Sequence, residues 1–274
     1  MPELPEAETI VRDLRQRVVG ATIVRASVTR PDLLAPGLTP ARFTRRLRGR
    51  RIAASERRAK KVILRLDDDS RLVISLGMTG RVVTSDAPRA GELRHIGARL
   101  ELDDGRAILY DDSRRFGELA LDAPGEWPVR DARLGIEPFS AAFTADSLHQ
   151  LTRGSLVPIR NWLLDQRKLA GIGNIYALEA LFLAGIRPTR RARTLKRRET
   201  AALRDALQAV LSESIDVRGT TISDYRDASG EKGGYDTRLR VYDRAGEPCR
   251  VCRTAIKRVV LTNRSAYYCP NCQR

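Results

Sequence analysis

Two short stretches, Arg71-Leu-Val-Ile-Ser-Leu76 and Ala98-Arg-Leu-Glu-Leu102, decide the fold of this chain. Each places β-branched or leucine side chains in a strand-length run, and each borders a polar turn, Asp67-Asp-Asp-Ser70 in one case and Asp103-Asp-Gly105 in the other. That pattern predicts strands joined as hairpins. The same texture runs from Ala21 to about Leu121 with no intervening helix expected, so the segment reads as a β-sandwich-like domain. Before it, Pro5 with Glu6 and Glu8 has the chemistry of a helix first turn. Ile10, Val11, Leu14 and Val18 then continue an apolar face as far as Gly20, so an N-terminal amphipathic helix is expected to pack on the sandwich.

Ala123-Pro-Gly-Glu-Trp-Pro128 marks a change of periodicity. Beyond it the apolar spacing is helical over Ile159–Ala170, Ile175–Gly185 and Thr194–Val217, and Leu203, Leu207, Val210 and Leu211 share one face of the last segment. Residues 218–238 carry Gly219, Gly230, Gly233 and Gly234 and little periodicity, longer than an ordinary connection and therefore functional or disordered. The tail holds all four cysteines, as Cys249-x-x-Cys252 and Cys269-x-x-Cys272. An α+β multidomain chain follows, with domains expected at 1–135, 136–227 and 228–274.

A formal net charge of +16 over 274 residues favours an anionic partner, and nucleic acid over a membrane surface. No apolar run is long enough to span a bilayer, and the acidic MPELPEAETI start is not a signal peptide, so a cytoplasmic protein is expected. Codon composition accounts for arginine over lysine, but not for the surplus of cations.

The sixteen residues between the Cys-x-x-Cys pairs, 253–268, alternate enough to form a hairpin. Two such knuckles present four thiolates tetrahedrally to one zinc ion, and a site closed by four sulfurs is structural. Arg253, Lys257, Arg258 and Arg264 suit phosphate contacts from this ribbon or are incidental surface charge. Gly171-Ile-Gly-Asn174 leaves backbone N–H groups uncovered before a helix, which either seat a phosphate or make a tight turn with Asn174 as N-cap. At the N-terminus, removal of Met1 leaves Pro2 with a free secondary amine, partly neutral at physiological pH. Such an amine can attack the anomeric carbon of a nucleotide, displace the base and give an iminium ion, with Glu3 placed to donate a proton. Taken alone, the segment reads more readily as a helix start.

MPELPEAET, Arg57-Arg-Ala-Lys60, Leu76-Gly-Met-Thr-Gly80, Asp112-Ser-Arg-Arg-Phe-Gly117, Leu164-Asp-Gln166, Gly171-Ile-Gly-Asn-Ile-Tyr-Ala177 and the cysteine ribbon occur in one order across nearly the whole chain. In that order they resemble formamidopyrimidine-DNA glycosylase, the bacterial family that excises oxidised purines. The resemblance implies a β-sandwich with an N-terminal helix, a helix–two-turns–helix domain and a zinc finger. It implies Pro2 as Schiff-base nucleophile, Glu3 as proton donor in base excision, Lys60 as acid for β-elimination and Arg264 for δ-elimination. Arginine is effectively always charged, so phosphate binding is the more natural role for Arg264. Met78, Arg114 and Phe116 match the family's wedge, which fills the gap left by an extruded base; His95 and Asn174 match its phosphate contacts; 218–235 matches its lesion loop. Double-stranded damaged DNA is the implied partner of a monomeric enzyme carrying one structural zinc.

The chain departs from the family at Gly97, where a second histidine is common, at Arg153-Gly-Ser-Leu156, where a basic cluster is common, and at Arg218, where glycine is commoner. The rival readings are the sister glycosylase for oxidised pyrimidines, whose N-terminus usually has glycine where Leu4 stands, and an inactive protein that only binds damaged DNA.

Overall fold

The computed structural model describes residues 2–221 and 225–274 and divides the chain into two compact units, Met1–Ala132 with Ile215–Asp236, and Arg133–Ser214 with Thr237–Arg274. Met1, whose removal the proline chemistry requires, and 222–224 of the expected lesion loop lie outside the described residues.

In the first unit, helix α1 (Leu4–Arg17) is the expected N-terminal helix. Glu3 is its N-cap and Glu6 the third residue of its first turn; each side chain takes the other's backbone N–H, a reciprocal capping box that satisfies two donors a helix start otherwise leaves open. Leu4, Ala7, Ile10, Val11 and Leu14 are fully buried along one stripe.

Eight strands follow: β1 (Ile23–Val28), β2 (Ile52–Arg58), β3 (Lys61–Leu66), β4 (Arg71–Ser75), β5 (Arg81–Thr84), β6 (Ile96–Leu102), β7 (Ala107–Asp111) and β8 (Glu118–Asp122). They form two antiparallel sheets, in the orders β1-β6-β7-β5 and β2-β3-β4-β8. Val62 and Leu64 of β3, Leu72 and Ile74 of β4, Ala98 and Leu100 of β6 and Ile108 and Tyr110 of β7 join Ile10, Val11 and Leu14 of α1 in one core, so the sheets are layers of a sandwich. Both polar runs read as turns are hairpins: Asp69 and Gly105 take positive φ, 62° and 86°, at the β3–β4 and β6–β7 connections. One expectation fails here. Helix α2 (Pro40–Leu47) interrupts the strand region; the Thr39 hydroxyl caps it by accepting the Arg42 N–H at 3.2 Å, Pro40 opens it, and Phe43 and Leu47 bury its apolar face. Thr39-Pro40 is a helix-start signal that the run of neighbouring strands obscures. A short helix α3 (Trp127–Asp131) ends this stretch.

The second unit is built on α4 (Ala145–Arg153), α5 (Ile159–Leu163), α6 (Asn174–Leu183) and most of α7 (Arg197–Asp216), followed by the hairpin β9 (Lys257–Leu261) and β10 (Arg264–Tyr268). The helix expected over 159–170 stops at Leu163. Gln166 takes the turn that replaces it: its amide donates to the carbonyls of Leu164 (3.1 Å) and Ile172 (2.8 Å), and its carbonyl accepts the Gly171 N–H at 2.8 Å. Those side-chain bonds satisfy backbone groups that a continuing helix would have paired. Among the described residues, no helix is long and apolar enough to cross a membrane.

Candidate active site and nucleic-acid interface

Pro2 is buried immediately ahead of α1, and Glu3 is 2% exposed. The Glu3 N–H donates to Glu6 Oε2 at 2.7 Å, and the other oxygen of that carboxylate accepts the Thr220 N–H at 2.7 Å. Glu6 therefore does more than favour a helix start: it holds the N-terminal segment and the stem of 218–235 together. Lys60 sits in the two-residue turn of the β2–β3 hairpin, next to Ala59 at φ 53°. Arg57 donates to the Ala59 carbonyl (3.1 Å) and to Glu8 of α1 (3.0 Å), so the tip bearing Lys60 is tied to the helix that Pro2 precedes. The adjacent Lys61 lies inside the sheet, donating to Ser75 Oγ at 2.6 Å, and burial draws its ammonium below the usual lysine range.

At one end of the sandwich, the carboxylate of buried Asp112 organises two turns. One oxygen accepts Thr79 Oγ1 (2.5 Å) and the Arg114 N–H (3.3 Å); the other accepts the Gly117 N–H (2.8 Å). Gly77 has φ 59°, and a Cβ there would stand 2.4 Å from the Phe116 carbonyl carbon, so only glycine lets the turns approach. Met78, Arg114 and Phe116 are brought together and left outside: Met78 is 39% and Phe116 59% exposed, and the Arg114 guanidinium lies 4.8 Å from the Phe116 ring centre. Exposed apolar side chains braced from behind are what a wedge between bases needs. His95 joins them, its N–H donating to Asp111 Oδ1 (2.6 Å) and its carbonyl accepting the Asp112 N–H (3.2 Å), with its side chain exposed. At Gly97 a Cβ would meet the buried Leu33 side chain at 2.2 Å, so Leu33 fills the room a larger residue would need.

In the second unit, Asn174 is the first residue of α6 and Gly173 is its N-cap, which corrects the reading of Asn174 as a cap. Its amide instead donates to the Ser265 carbonyl at 2.9 Å, while its side-chain oxygen is buried and has no partner among the described residues. Arg264 begins β10 just past a turn in which Thr262 and Asn263 take φ 45° and 61°. Its side chain is exposed, and among the described residues no carboxylate pairs with it. The structure therefore brings Asn174 and Arg264 together, whereas Arg153–Leu156 contributes only an exposed helix end, with Leu156 57% exposed. Were Arg264 to hold a DNA phosphate, the salt dependence of binding would show it. The logarithm of DNA affinity is expected to fall with that of salt concentration at roughly −0.9 per contact, so Arg264→Ala should flatten the measured slope by about one. An unchanged slope removes Arg264 from the contacts.

The four cysteine sulfurs lie within 4.8 Å of one another, with Cys249–Cys272 at 3.9 Å and Cys252–Cys269 at 3.3 Å. A tetrahedral zinc–thiolate site has sulfurs about 3.8 Å apart, so the set fits that ion. Hydrogen bonds, first from Thr254 and then from Asn271, draw the Cys252 thiol down to about 5, while burial and then neighbouring sulfurs push Cys272 up. Thiolates crowded this closely repel one another, and a divalent cation among them reverses that penalty.

Family models match three successive parts of the chain: the formamidopyrimidine-DNA glycosylase N-terminal domain over 1–119, that protein's H2TH domain over 134–226, and a zinc finger found in FPG and IleRS over 246–274. The chain belongs to the formamidopyrimidine-DNA glycosylase family. The formamidopyrimidine-DNA glycosylase of Chloroflexus aggregans is 44% identical, across 100% of this chain and 98% of that protein. The crystal structure of the MutM (Fpg) protein of Thermus thermophilus matches with a TM-score of 0.87 at 39% identity, covering 99% of this chain and 98% of that one. Lactococcus lactis Fpg in complex with abasic-site DNA matches at 0.89 and 30% identity, covering 99% of each. The family's N-terminal domain thus covers Pro2, Glu3, Lys60, Met78, His95, Arg114 and Phe116, its H2TH domain Asn174, and its zinc finger Arg264 and the cysteines.

Residues that sequence reasoning passed over do the bracing. Arg160, 1% exposed, donates from one nitrogen to the carbonyls of Leu261 (2.7 Å) and Arg264 (2.9 Å), gripping both sides of the β9–β10 turn. Burial, then the cation of Arg264, lower its pKa. Glu179, wholly buried on α6, accepts the N–H groups of Arg240 (2.8 Å), Val241 and Tyr242 (both 2.9 Å) and so fixes the entry to the zinc finger. A lone arginine or glutamate in an otherwise apolar helical run was the available signal for both.

Proposed function

We propose that this protein is a base excision repair enzyme that removes oxidised purines from duplex DNA through a Pro2 Schiff base and then cleaves the abasic strand by β,δ-elimination. The observation that carries the reading is local to the first unit. The buried Pro2–Glu3 pair opens α1, and the hairpin tip bearing Lys60 is bound to the same helix through Arg57 and Glu8.

With Met1 removed, the Pro2 nitrogen attacks C1′ of the damaged nucleotide, the glycosidic bond breaks, and the departing base takes its proton from Glu3. Ring opening, in which the C1′–O4′ bond breaks and O4′ takes the proton released by the Pro2 nitrogen, gives an iminium ion at C1′, which acidifies the C2′ hydrogen. Loss of that proton expels the 3′ phosphate, with Lys60 as the acid of this β-elimination; a second elimination, with loss of the C4′ hydrogen, expels the 5′ phosphate, and hydrolysis of the iminium returns the Pro2 amine. Arg264 serves these steps best by holding a phosphate. Met78, Arg114 and Phe116 fill the gap in the duplex, and His95 and Asn174 hold its backbone. Residues 1–135 then form the catalytic domain, 136–227 the DNA-binding domain, and 228–274 the end of the lesion loop with the zinc finger, which carries one structural ion. The enzyme acts as a monomer in the cytoplasm.

Incubation with duplexes carrying 8-oxoguanine or an oxidised thymine tests the substrate class. The purine duplex is expected to be cut faster; faster cutting of the thymine duplex transfers the chain to the sister activity, and cutting of neither leaves a protein that only binds damage.

A further inference from the structure

Arg218 takes a left-handed backbone, φ 66°, where glycine is at ease and arginine is strained. Its side chain shows what the strain accomplishes. Nε donates to Asp227 Oδ2 at 2.6 Å and Nη2 to Asp13 Oδ2 of α1, also at 2.6 Å. Asp227 is fully buried, and its other oxygen accepts the N–H groups of Ser229 and Glu231, both at 2.9 Å, closing the turn of 227–231. Arg17, one helical turn beyond Asp13, donates to Ser229 Oγ at 3.1 Å. The two stems also pair directly: Gly234 N–H donates to the Val217 carbonyl (2.8 Å) and Tyr235 N–H to that of Gly219 (3.0 Å). A single guanidinium therefore joins 217–221, 225–235 and the helix that begins after Pro2.

We infer that Arg218, with Asp13 and Asp227, is a positioning residue for recognition of the damaged base, fixing both described stems of 218–235 on α1 before DNA arrives. The inference rests on the glycosylase reading for its effect on excision, but not for the staple itself. Charge-assisted bonds to a buried carboxylate are stronger than ordinary hydrogen bonds, and ordering the stems beforehand spares the bound complex that entropy. Cleavage at a preformed abasic site has no base to recognise and does not use it.

Two variants separate the guanidinium from the backbone strain: Arg218→Ala keeps the strain and loses the staple, and Arg218→Gly loses both. In the free protein, hydrogen exchange at the Ser229 and Glu231 amides is expected to quicken about tenfold in both variants. Excision of an oxidised purine, as kcat/KM, should fall about tenfold, with cleavage of an abasic duplex unchanged within about twofold. Asp13→Asn added to Arg218→Ala should cost little more. Unchanged exchange, equal loss on both substrates, or an effect confined to Arg218→Gly overturns the inference. Quickened exchange in a protein that excises no oxidised purine even as wild type supports the staple and refutes the activity reading instead.

Discussion

Glu3→Gln is expected to slow excision of an oxidised purine by about 10²- to 10⁴-fold, the usual contribution of a positioned general acid, while cleavage of a preformed abasic site stays within about threefold of wild type. The departing base needs a proton; the abasic sugar has already lost its base and needs no such proton, although it still needs the Pro2 amine. The substitution isolates this chemistry although Glu3 also caps α1. Glutamine keeps a carbonyl oxygen for the Glu6 N–H, so the loss in stability should stay near the few tenths to about 1 kcal/mol that a charge at a helix N-terminus contributes. Side-by-side rates on the two duplexes, with a thermal melt of each protein, make the comparison. Parallel loss on both substrates, or a collapse of stability, assigns Glu3 to the fold alone.

Removal of zinc should have an effect as large on binding. The ribbon's core is small, with Val241, Cys249, Ile256, Ala266, Tyr267 and Cys269 packed with Leu178 and Phe182 of α6. Zinc-finger peptides draw roughly 10–16 kcal/mol of folding free energy from the ion, far more than such a core supplies. Chelation is expected to release one zinc per chain, unfold 246–274 and leave the sandwich folded. Arg264 and the Asn174–Ser265 bond are lost with the ribbon, so affinity for abasic duplex should fall by about a hundredfold, the equivalent of about two phosphate contacts. Zinc content by mass spectrometry and binding by fluorescence anisotropy measure both. A protein that binds DNA equally well after chelation contradicts a structural role for the ion at the interface.

The strands, the N-terminal helix and the cysteine ribbon were legible because each is governed by a short-range rule: alternation, a capped first turn, thiol spacing. The departures came where side chains replace backbone partners. Gln166 ends a helix that periodicity extends to Ala170, and Thr39-Pro40 starts one among strands. The family resemblance points to Pro2, Lys60 and the wedge, but the Asp112–Thr79 bond, Arg160, Glu179 and the Glu6–Thr220 bond act across distances that no local pattern encodes. Asp112 opens the 112–117 motif, yet nothing in that motif shows that both its oxygens hold turns. Arg218 was visible only as a departure from glycine, and its meaning required Asp13 and Asp227, residues distant or unremarked in the sequence.

Borohydride trapping captures the covalent intermediate itself. Added while the protein acts on a duplex containing 8-oxoguanine, the reductant converts an iminium into a stable amine, and protein and DNA then migrate as one species. With Met1 verified absent by mass spectrometry, the adduct is expected on the peptide that begins at Pro2, and a protein extended before Pro2 should give none, because an acylated proline nitrogen has no nucleophilic lone pair. An adduct that persists in the extended protein, or that maps to Lys60, contradicts the proline mechanism; no adduct with either the oxidised base or an abasic site contradicts the lyase activity itself.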